Sequence, residues 1–385
     1  MTLPPSRFGH YRTSVVGGGE VRAFIPPPLP PVPSLTMGNL WPKLETTMHL
    51  LGKLQGMAAL VPDRALFLYM YVRKEALVSS HIEGTQSSLH DLLLFEHNNT
   101  PSTPMEDVEE VSNYVAALEY GLSEMQRGLP LCNRLLKQCH AILLQGVRGQ
   151  NQQPGEYRRS QNWIGGTRPG NARFVPPPQE LVESLMSDLE KYLHDPTQST
   201  PVLLRVGMAH VQFETIHPFL DGNGRLGRLM IALALANFSI LPDPLLYISL
   251  FFKQHRDEYY HLLQHVRTTG DWEAWCEFYL EGVAHVASHA ADAIQRIHDL
   301  TKSDRERIET LGRAAVSVHA LFRFCLRAPL FGIPQAAIEL SLSVPTVTKA
   351  TNHLLQLGIL KEITGKGKNR LYAYQGYLDI LMAEG

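Results

Sequence analysis

From Trp41 onward the apolar residues fall into helical spacing. Leu44, Met48, Leu51, Leu54 and Met57 recur every three or four positions. A second helix is predicted through RALFLYMYVRKEALVSSHIEG, with Asp63 placed to cap it and Gly84 placed to end or bend it. Further helices are predicted near 106–126, 130–145, 179–193, 201–216 and 225–238. One segment breaks the pattern. In NWIGGTRPGNARFVPPP, Trp163-Ile164 and Arg173-Phe174-Val175 flank a Gly/Pro/Asn-rich turn, which predicts a β-hairpin inside a helical protein. Before Trp41 the chain is rich in proline and glycine, as in VVGGGEVRAF and IPPPLPPVPS. Repeated prolines fix φ and remove donors, so this part reads as an extended arm laid on a surface or as a disordered tail. Phe24, Ile25 and Leu29 favour the arm, because a free tail would expose them. Near 300 the composition changes to the strongly charged DLTKSDRERIETLGR. A helix at about 312–327 follows, then IPQAAIELSLSVPTVTKATNHLLQLGIL and KEITGKGKNRLYAY. These read as helix, short turn, helix, and two strands joined by a Gly/Lys turn.

The pattern divides the 385 residues into an arm over 1–40, a helical region over 41–110, a core domain over 111–300 and a small module over 301–385. Hydrophobic residues make up 44% and charged residues 19%, the balance of a soluble globular protein with a sizeable core. Net charge is −2, so there is no global basic field, and any nucleic-acid contact must come from a local patch. Cys132, Cys139, Cys276 and Cys325 show no metal-ligand or CxxC spacing. The first residues lack a charged-then-apolar signal design, and the longest apolar run, Leu229 to Phe238, is too short to span a bilayer. A reducing cytoplasmic location without membrane contact is the expectation.

The stretch HPFLDGNGRLGR at 217–228 concentrates the chemistry. Pro218 breaks the preceding helix, and after Gly222 and Gly224 the chain resumes as RLGRLMIALALANF. The stretch is therefore a loop feeding a helix N-terminus. Such an end offers unpaired N–H groups and a positive dipole end to an anion. Glycines let the backbone approach a phosphate closely. Arg225 and Arg228, three apart, can turn toward the same anion. Asp221 is a hard oxygen ligand suited to Mg²⁺ bridging phosphates, and His217 can act as a base near neutral pH. Together these describe phosphoryl or nucleotidyl transfer. Any one alone would be a glycine-turn cap with surface arginines.

HPFLDGNGRLGR resembles the Fic motif, HPFxDGNGRxxR, at every fixed position. The resemblance implies a mainly α-helical Fic-fold core with a β-hairpin flap, here followed by a C-terminal winged helix-turn-helix. It implies transfer of AMP from MgATP to a Ser, Thr or Tyr hydroxyl of a target protein, with His217 as the base and Asp221 as the Mg²⁺ ligand. Gly222, Asn223 and Gly224 would form the anion hole, and Arg225 and Arg228 would contact phosphate. Retention of Gly222 and Gly224 favours AMP transfer over the phosphorylation of the related Doc branch. QNWIGGTRPGNARF resembles the flap that pairs with the target as an added strand, with Ile164, Gly165, Gly166 and Thr167 near the nucleotide. Of the neighbouring Tyr259 and Tyr260, which cannot both face one pocket, Tyr259 is assigned to the adenosine pocket. Arg267 receives no role. His210, His255, His261 and His265 read as packing or surface residues.

SSHIEG at 79–84 fits [S/T]xxxE[G/N] through Ser79, Glu83 and Gly84. Four residues apart, Ser79 and Glu83 share a helix face. The segment resembles the inhibitory helix of the class with an N-terminal inhibitor, in which the glutamate pairs with the second arginine, here Arg228, and fills the space of the γ-phosphate. In the tail, Val344 to Leu357 reads as a recognition helix and Lys366, Lys368 and Arg370 as wing residues at phosphate. DNA contact and protein–protein contact both fit that pattern. Self-modification and a homodimer are further open expectations. The rivals are removal of AMP with Glu83 positioning water, transfer of another group, and a transcriptional regulator whose core only senses nucleotide.

Overall fold

The computed structural model describes residues 7–16, 19–61, 64–96, 103–365 and 370–383. The elements run in order β1 (His10–Val16), β2 (Gly19–Ile25), α1 (Leu40–Met57), α2 (Arg64–Ile82), α3 (Leu89–Glu96), α4 (Met105–Gln126), α5 (Asn133–Leu143), α6 (Val182–His194), α7 (Val202–Ile216), α8 (Asn223–Asn237), α9 (Ser249–Gln254), α10 (Arg256–Thr269) and α11 (Trp272–Glu309). There follow α12 (Ala315–Cys325), β3 (Leu330–Gly332), α13 (Ile333–Glu339), α14 (Val344–Gln356), β4 (Lys361–Glu362), β5 (Leu371–Ala373) and α15 (Gln375–Met382). Asp63, Lys366 and Lys368, expected as a cap and as wing cations, lie outside the described residues. The chain divides into two compact units, Met1–His49 with Glu75–Val286, and Leu50–Lys74 with Ala287–Gly385.

In the first unit α7 and α8 form the centre. Both are buried nearly all round, as apolar helices inside a core must be. Helices α4, α5 and α6 pack around them, and α10 packs on α7. Two glycines set the closest approaches. A Cβ on Gly121 of α4 would stand 2.9 Å from Leu233 of α8, and one on Gly207 of α7 would stand 2.6 Å from the Tyr279 ring of α11. The carbonyl of Gly207 also accepts from Trp275 Nε1 at 2.9 Å, so bare backbone is part of that interface.

In the described part of the proline-rich arm, an antiparallel hairpin pairs His10 with Ile25 through Val16 with Gly19. It is stitched on by Phe24 N–H to Val175 O at 2.9 Å and by Gln212 Nε2 to Pro27 O at 2.8 Å. Phe24 is thereby buried.

In the second unit α12, α13 and α14 pack together beside an antiparallel sheet of order β3-β5-β4. Tyr374 OH bonds Asp304 Oδ2 at 2.6 Å. The charged stretch near 300 is not a loose linker. It continues α11, a helix of 38 residues, because Ile297, Thr301, Asp304 and Ile308 recur on one buried face beneath the charges. No helix among the described residues is long and apolar enough to cross a membrane.

Gly207→Ala is expected to lower stability by about 1–3 kcal/mol, since the added methyl must displace an aromatic ring in a packed core. The readout is the urea midpoint at unchanged slope, and an unshifted midpoint would show that the α7–α11 contact is looser than described.

Candidate active site

Helix α7 ends because His217 leaves the helical region for a left-handed conformation, φ 49° and ψ 62°, just before Pro218. That conformation is costly for a residue with a side chain, and a set of donors holds it. Arg158 Nε donates to His217 O at 2.9 Å and Asn162 Nδ2 to the same oxygen at 3.2 Å. Arg158 N–H donates to Pro218 O at 2.9 Å. Arg158 also reaches Ser160 O at 3.2 Å, Pro177 O at 2.5 Å and Ile216 O at 3.3 Å. Among the described residues this buried cation bonds only carbonyls, and burial lowers its pKa to about 10. His217 in turn is pushed down to about 3, by burial first and then by the charges of Arg267 and Arg158, against the opposing pull of Glu83. Its imidazole is neutral at neutral pH. The Glu214 carboxylate, 3.9 Å from Nδ1, is itself raised to about 7, chiefly by burial.

The loop from Phe219 to Gly222 is closed by its own side chains. Asn223 Oδ1 accepts from Phe219 N–H and Asn223 Nδ2 donates to Phe219 O, both at 2.9 Å. The Asn223 side chain thus braces the loop. Asp221 Oδ1 accepts from Gly222 N–H at 2.7 Å. His140, stacked on Phe219 at 3.8 Å, accepts from Gly155 N–H through Nδ1 at 2.8 Å and donates from Nε2 to Asp221 O at 2.9 Å. Burial keeps it neutral by lowering its pKa to about 4. Gly149 comes so near that a Cβ there would lie 2.6 Å from Asp221 Oδ2. Gly222 turns the chain at φ 73° into α8. The first intrahelical bond is Leu226 N–H to Gly222 O, so the amides of Asn223, Gly224 and Arg225 precede it, at the positive end of the helix.

The two motif arginines do not converge as their spacing suggested. Arg225 Nη1 meets Glu110 Oε2 of α4 at 2.8 Å. Arg228 turns to α2, where Nε donates to Ser79 Oγ at 2.9 Å, and Nη2 to Ser79 O at 2.8 Å and Glu83 Oε1 at 2.7 Å. Both arginines are buried, and each settles its charge on the oxygens its own helix neighbour offers. Glu83 Oε1 lies against the first turn of α8, where a Cβ on Gly224 would collide with it. Burial alone would raise the Glu83 carboxyl. The charge and hydrogen bond of Arg228, with Arg225 and His217, outweigh that and hold it below the usual range. One turn before Ser79, the buried Glu75 accepts from Ser249 Oγ, Ser249 N–H and Tyr114 OH, fixing α2 in register.

The expected hairpin is a single bridge between Ile164 and Phe174. Gly165 and Gly166 take φ 68° and 74°, and the tip folds on Asn171, whose Oδ1 accepts from Thr167 and Arg168 N–H at 3.0 and 2.9 Å. Side-chain and glycine turns replace a regular ribbon there. Ile164 and Phe174 border a cavity of about 630 Å³ that also meets Glu214, Arg256, Tyr260, His261, Gln264 and Arg267. Tyr260 faces it and Tyr259 does not. Tyr259 is 1% exposed and gives its hydroxyl to His210 Nε2 at 2.8 Å. The helix phase that turns one tyrosine outward turns its neighbour into the core. Arg267 lines the cavity, bonding Thr215 Oγ1 at 3.0 Å and Glu214 O at 3.1 Å and covering the Phe174 ring. A hollow of similar volume, about 660 Å³, beside Lys137, Tyr157 and Glu183, contains no residue of 217–228.

Arg158, Asn162, His140 and Glu110 thus join the site without having been singled out in the sequence, and Arg267 joins it although the sequence reading gave it no role. Their partners are backbone carbonyls or residues far along the chain, which no local spacing reveals.

Residues 41–123 match the Fic/DOC family N-terminal model, and residues 130–235 match the Fic/DOC family model. The chain is 34% identical over 126 residues to protein adenylyltransferase Fic of Drosophila yakuba, covering 32% of this chain and 22% of that protein. It is 31% identical over 159 residues to protein adenylyltransferase fic-1 of Caenorhabditis elegans, covering 41% of this chain and 27% of that one. It therefore spans about a quarter of the length of these curated relatives. A Fic family protein from Desulfovibrio desulfuricans shares the fold at TM-score 0.58 and 20% identity over 89% of this chain and 97% of its own. A Fic domain containing signaling protein from Bacteroides thetaiotaomicron does so at TM-score 0.52 and 18% identity, over 65% and 97%. With both family models matched and the motif's histidine, loop and arginines gathered at one helix N-terminus, the chain is similar to the Fic/DOC family over residues 41–123 and 130–235.

Proposed function

We propose that this protein transfers AMP from MgATP to a hydroxyl side chain of a target protein and is held back by Glu83. The observation that carries the reading is the placement of His217 at the end of α7 beside the N-terminus of α8, with Arg228 on the same helix already engaged by a carboxylate. The target's hydroxyl oxygen would attack the α-phosphorus as His217 takes its proton. The bond to the leaving pyrophosphate would break, and the α8 amides and arginines would carry the phosphate charge. The residues fit Mg²⁺ as a shared ion. Asp221 offers one carboxylate, and the phosphates would complete the sphere. Among the described residues no three acidic, histidine or cysteine side chains converge to hold a metal alone. The bound Mg²⁺ would neutralise phosphate charge. Tyr260, Gln264 and Ile164 offer the cavity for adenosine, and the Ile164–Phe174 segment offers backbone to an incoming strand.

The helix pair α13–α14 with β4 and β5 supports a winged-helix module in the second unit.

His217→Ala is expected to lower AMP incorporation about 10²–10⁴-fold while MgATP affinity stays close to wild type. Incorporation at the wild-type rate would remove His217 as the base.

Glu83→Gly is expected to raise incorporation about tenfold or more, because Arg228 and the first turn of α8 are released to the nucleotide and small gains in phosphate position change rates strongly. Mass spectrometry of the protein and of added lysate proteins reads the AMP adduct. A folded variant with unchanged or lower incorporation would contradict the inhibitory role and favour AMP removal, with Glu83 positioning water.

A further inference from the structure

The N-terminal family region supplies not one carboxylate to the Fic motif but two. Glu83 meets Arg228 and Glu110 meets Arg225, and the two pairs differ physically. Glu83 sits at the end of α2, next to Gly84, with 32% of its side chain exposed. Only one of its oxygens is engaged by the arginine. Glu110 lies in the body of α4 with 3% of its side chain exposed. Its Oε2 takes Arg225 Nη1 at 2.8 Å, and its Oε1 faces Arg148 Nε at 3.4 Å. Arg148 comes from the loop after α5 and is 59% exposed. Its neighbour Gly149 is the residue pressed against the Asp221 carboxylate. Glu110 therefore ties three parts together: α4, the first turn of α8, and the loop that covers Asp221.

We infer that Glu110 is a positioning residue that fixes Arg225 for phosphate, so that removing its charge lowers activity where removing that of Glu83 raises it. The inference rests on the AMP-transfer reading. Arg225 sits in the first turn of α8, where the helix dipole is positive and Arg228 lies three residues on. Unpaired, it would be driven away from both. The buried Glu110 offsets that repulsion and holds the guanidinium on the α4 side of the loop. The carboxylate cannot act as a displaceable blocker. It is enclosed, and an arriving phosphate would have to leave it buried and unpaired. Arg225 still has donors to spare, and its Nε, buried, bonds no acceptor among the described residues. One edge of the guanidinium is thus committed to Glu110 and the remainder is not. Glu110 does not touch the reacting atoms, and any effect it has must pass through Arg225 and, more weakly, Arg148.

The test is a double-mutant cycle in the Glu83→Gly background, reading kcat/KM for MgATP in AMP incorporation. Glu110→Gln is expected to lower it about 10- to 100-fold, the scale of a small misplacement of a phosphate contact. Glu110→Asp, which keeps the charge, is expected to recover part of the loss. In an Arg225→Gln background Glu110→Gln should add nothing. Arg148→Gln, on an exposed side chain whose loss leaves the core intact, should lower kcat/KM a few-fold and also add nothing once Arg225 is gone. It keeps the test informative if Glu110→Gln does not fold. Three results would overturn the inference: a rise in activity with Glu110→Gln, losses that multiply with Arg225→Gln, or a folded Glu110→Gln with parent kinetics. If the Glu83→Gly parent incorporates no AMP into any protein, the AMP-transfer reading fails on its own. The cycle is then read from calorimetric MgATP affinity, where the same masking by Arg225→Gln supports the inference and independent effects contradict it.

Discussion

Arg228 carries a charge that water cannot reach, so the protein must supply it with oxygen. It does so from one short stretch of α2, using the Ser79 hydroxyl, the Ser79 carbonyl and the Glu83 carboxylate. That requirement pins the end of α2 to the first turns of α8 and places Glu83 Oε1 against Gly224. A carboxylate then occupies the positive end of a helix, the place where an anionic ligand would bind. Removing one partner of a buried ion pair is far costlier than never having formed it. Whatever displaces Glu83 must therefore bring negative charge of its own, as a phosphate does.

A second constraint acts on the backbone. His217 has to leave α7 in a strained conformation to stand at the edge of the loop, and strain persists only where the surroundings over-determine it. Arg158 and Asn162 provide this by bonding its carbonyl and the carbonyls around it. The arginine does two things at once. Its fork holds the turn, and its charge helps keep the imidazole unprotonated. Across the loop, His140 with a fixed tautomer holds the Asp221 carbonyl. His217 and Asp221 thus sit on a frame made by Arg158, Asn162 and His140.

Much of this could be read from the residues alone. HPFLDGNGRLGR announces a broken helix, a glycine turn and a new helix start by local rules, and those rules hold at Pro218 and Gly222. The α2 pairing needed Ser79 and Glu83 four apart, which spacing supplies. What was not legible has physical reasons. Arg225 looked free to join Arg228 because nothing local marks Glu110, which is 115 residues away, as its partner. Tyr259 and Tyr260 are adjacent aromatics, and only the rotation of α10 decides which one is core. The charged stretch near 300 read only as a change of composition because its buried Ile297, Thr301, Asp304 and Ile308 are outnumbered by the charges around them. The proline-rich arm hid a hairpin because its prolines lie outside the two strands.

In the proposed mechanism Glu83 and the terminal phosphate of ATP are rivals for Arg228 and the first turn of α8. Calorimetric affinities for MgATP and MgADP, in wild type and in Glu83→Gly, test that rivalry without depending on any target protein. A charge-assisted hydrogen bond open only to the third phosphate should raise the ratio of MgATP to MgADP affinity about tenfold or more in the variant. The same ratio in both proteins would contradict the account, because Glu83 would then not be competing for the place of that phosphate.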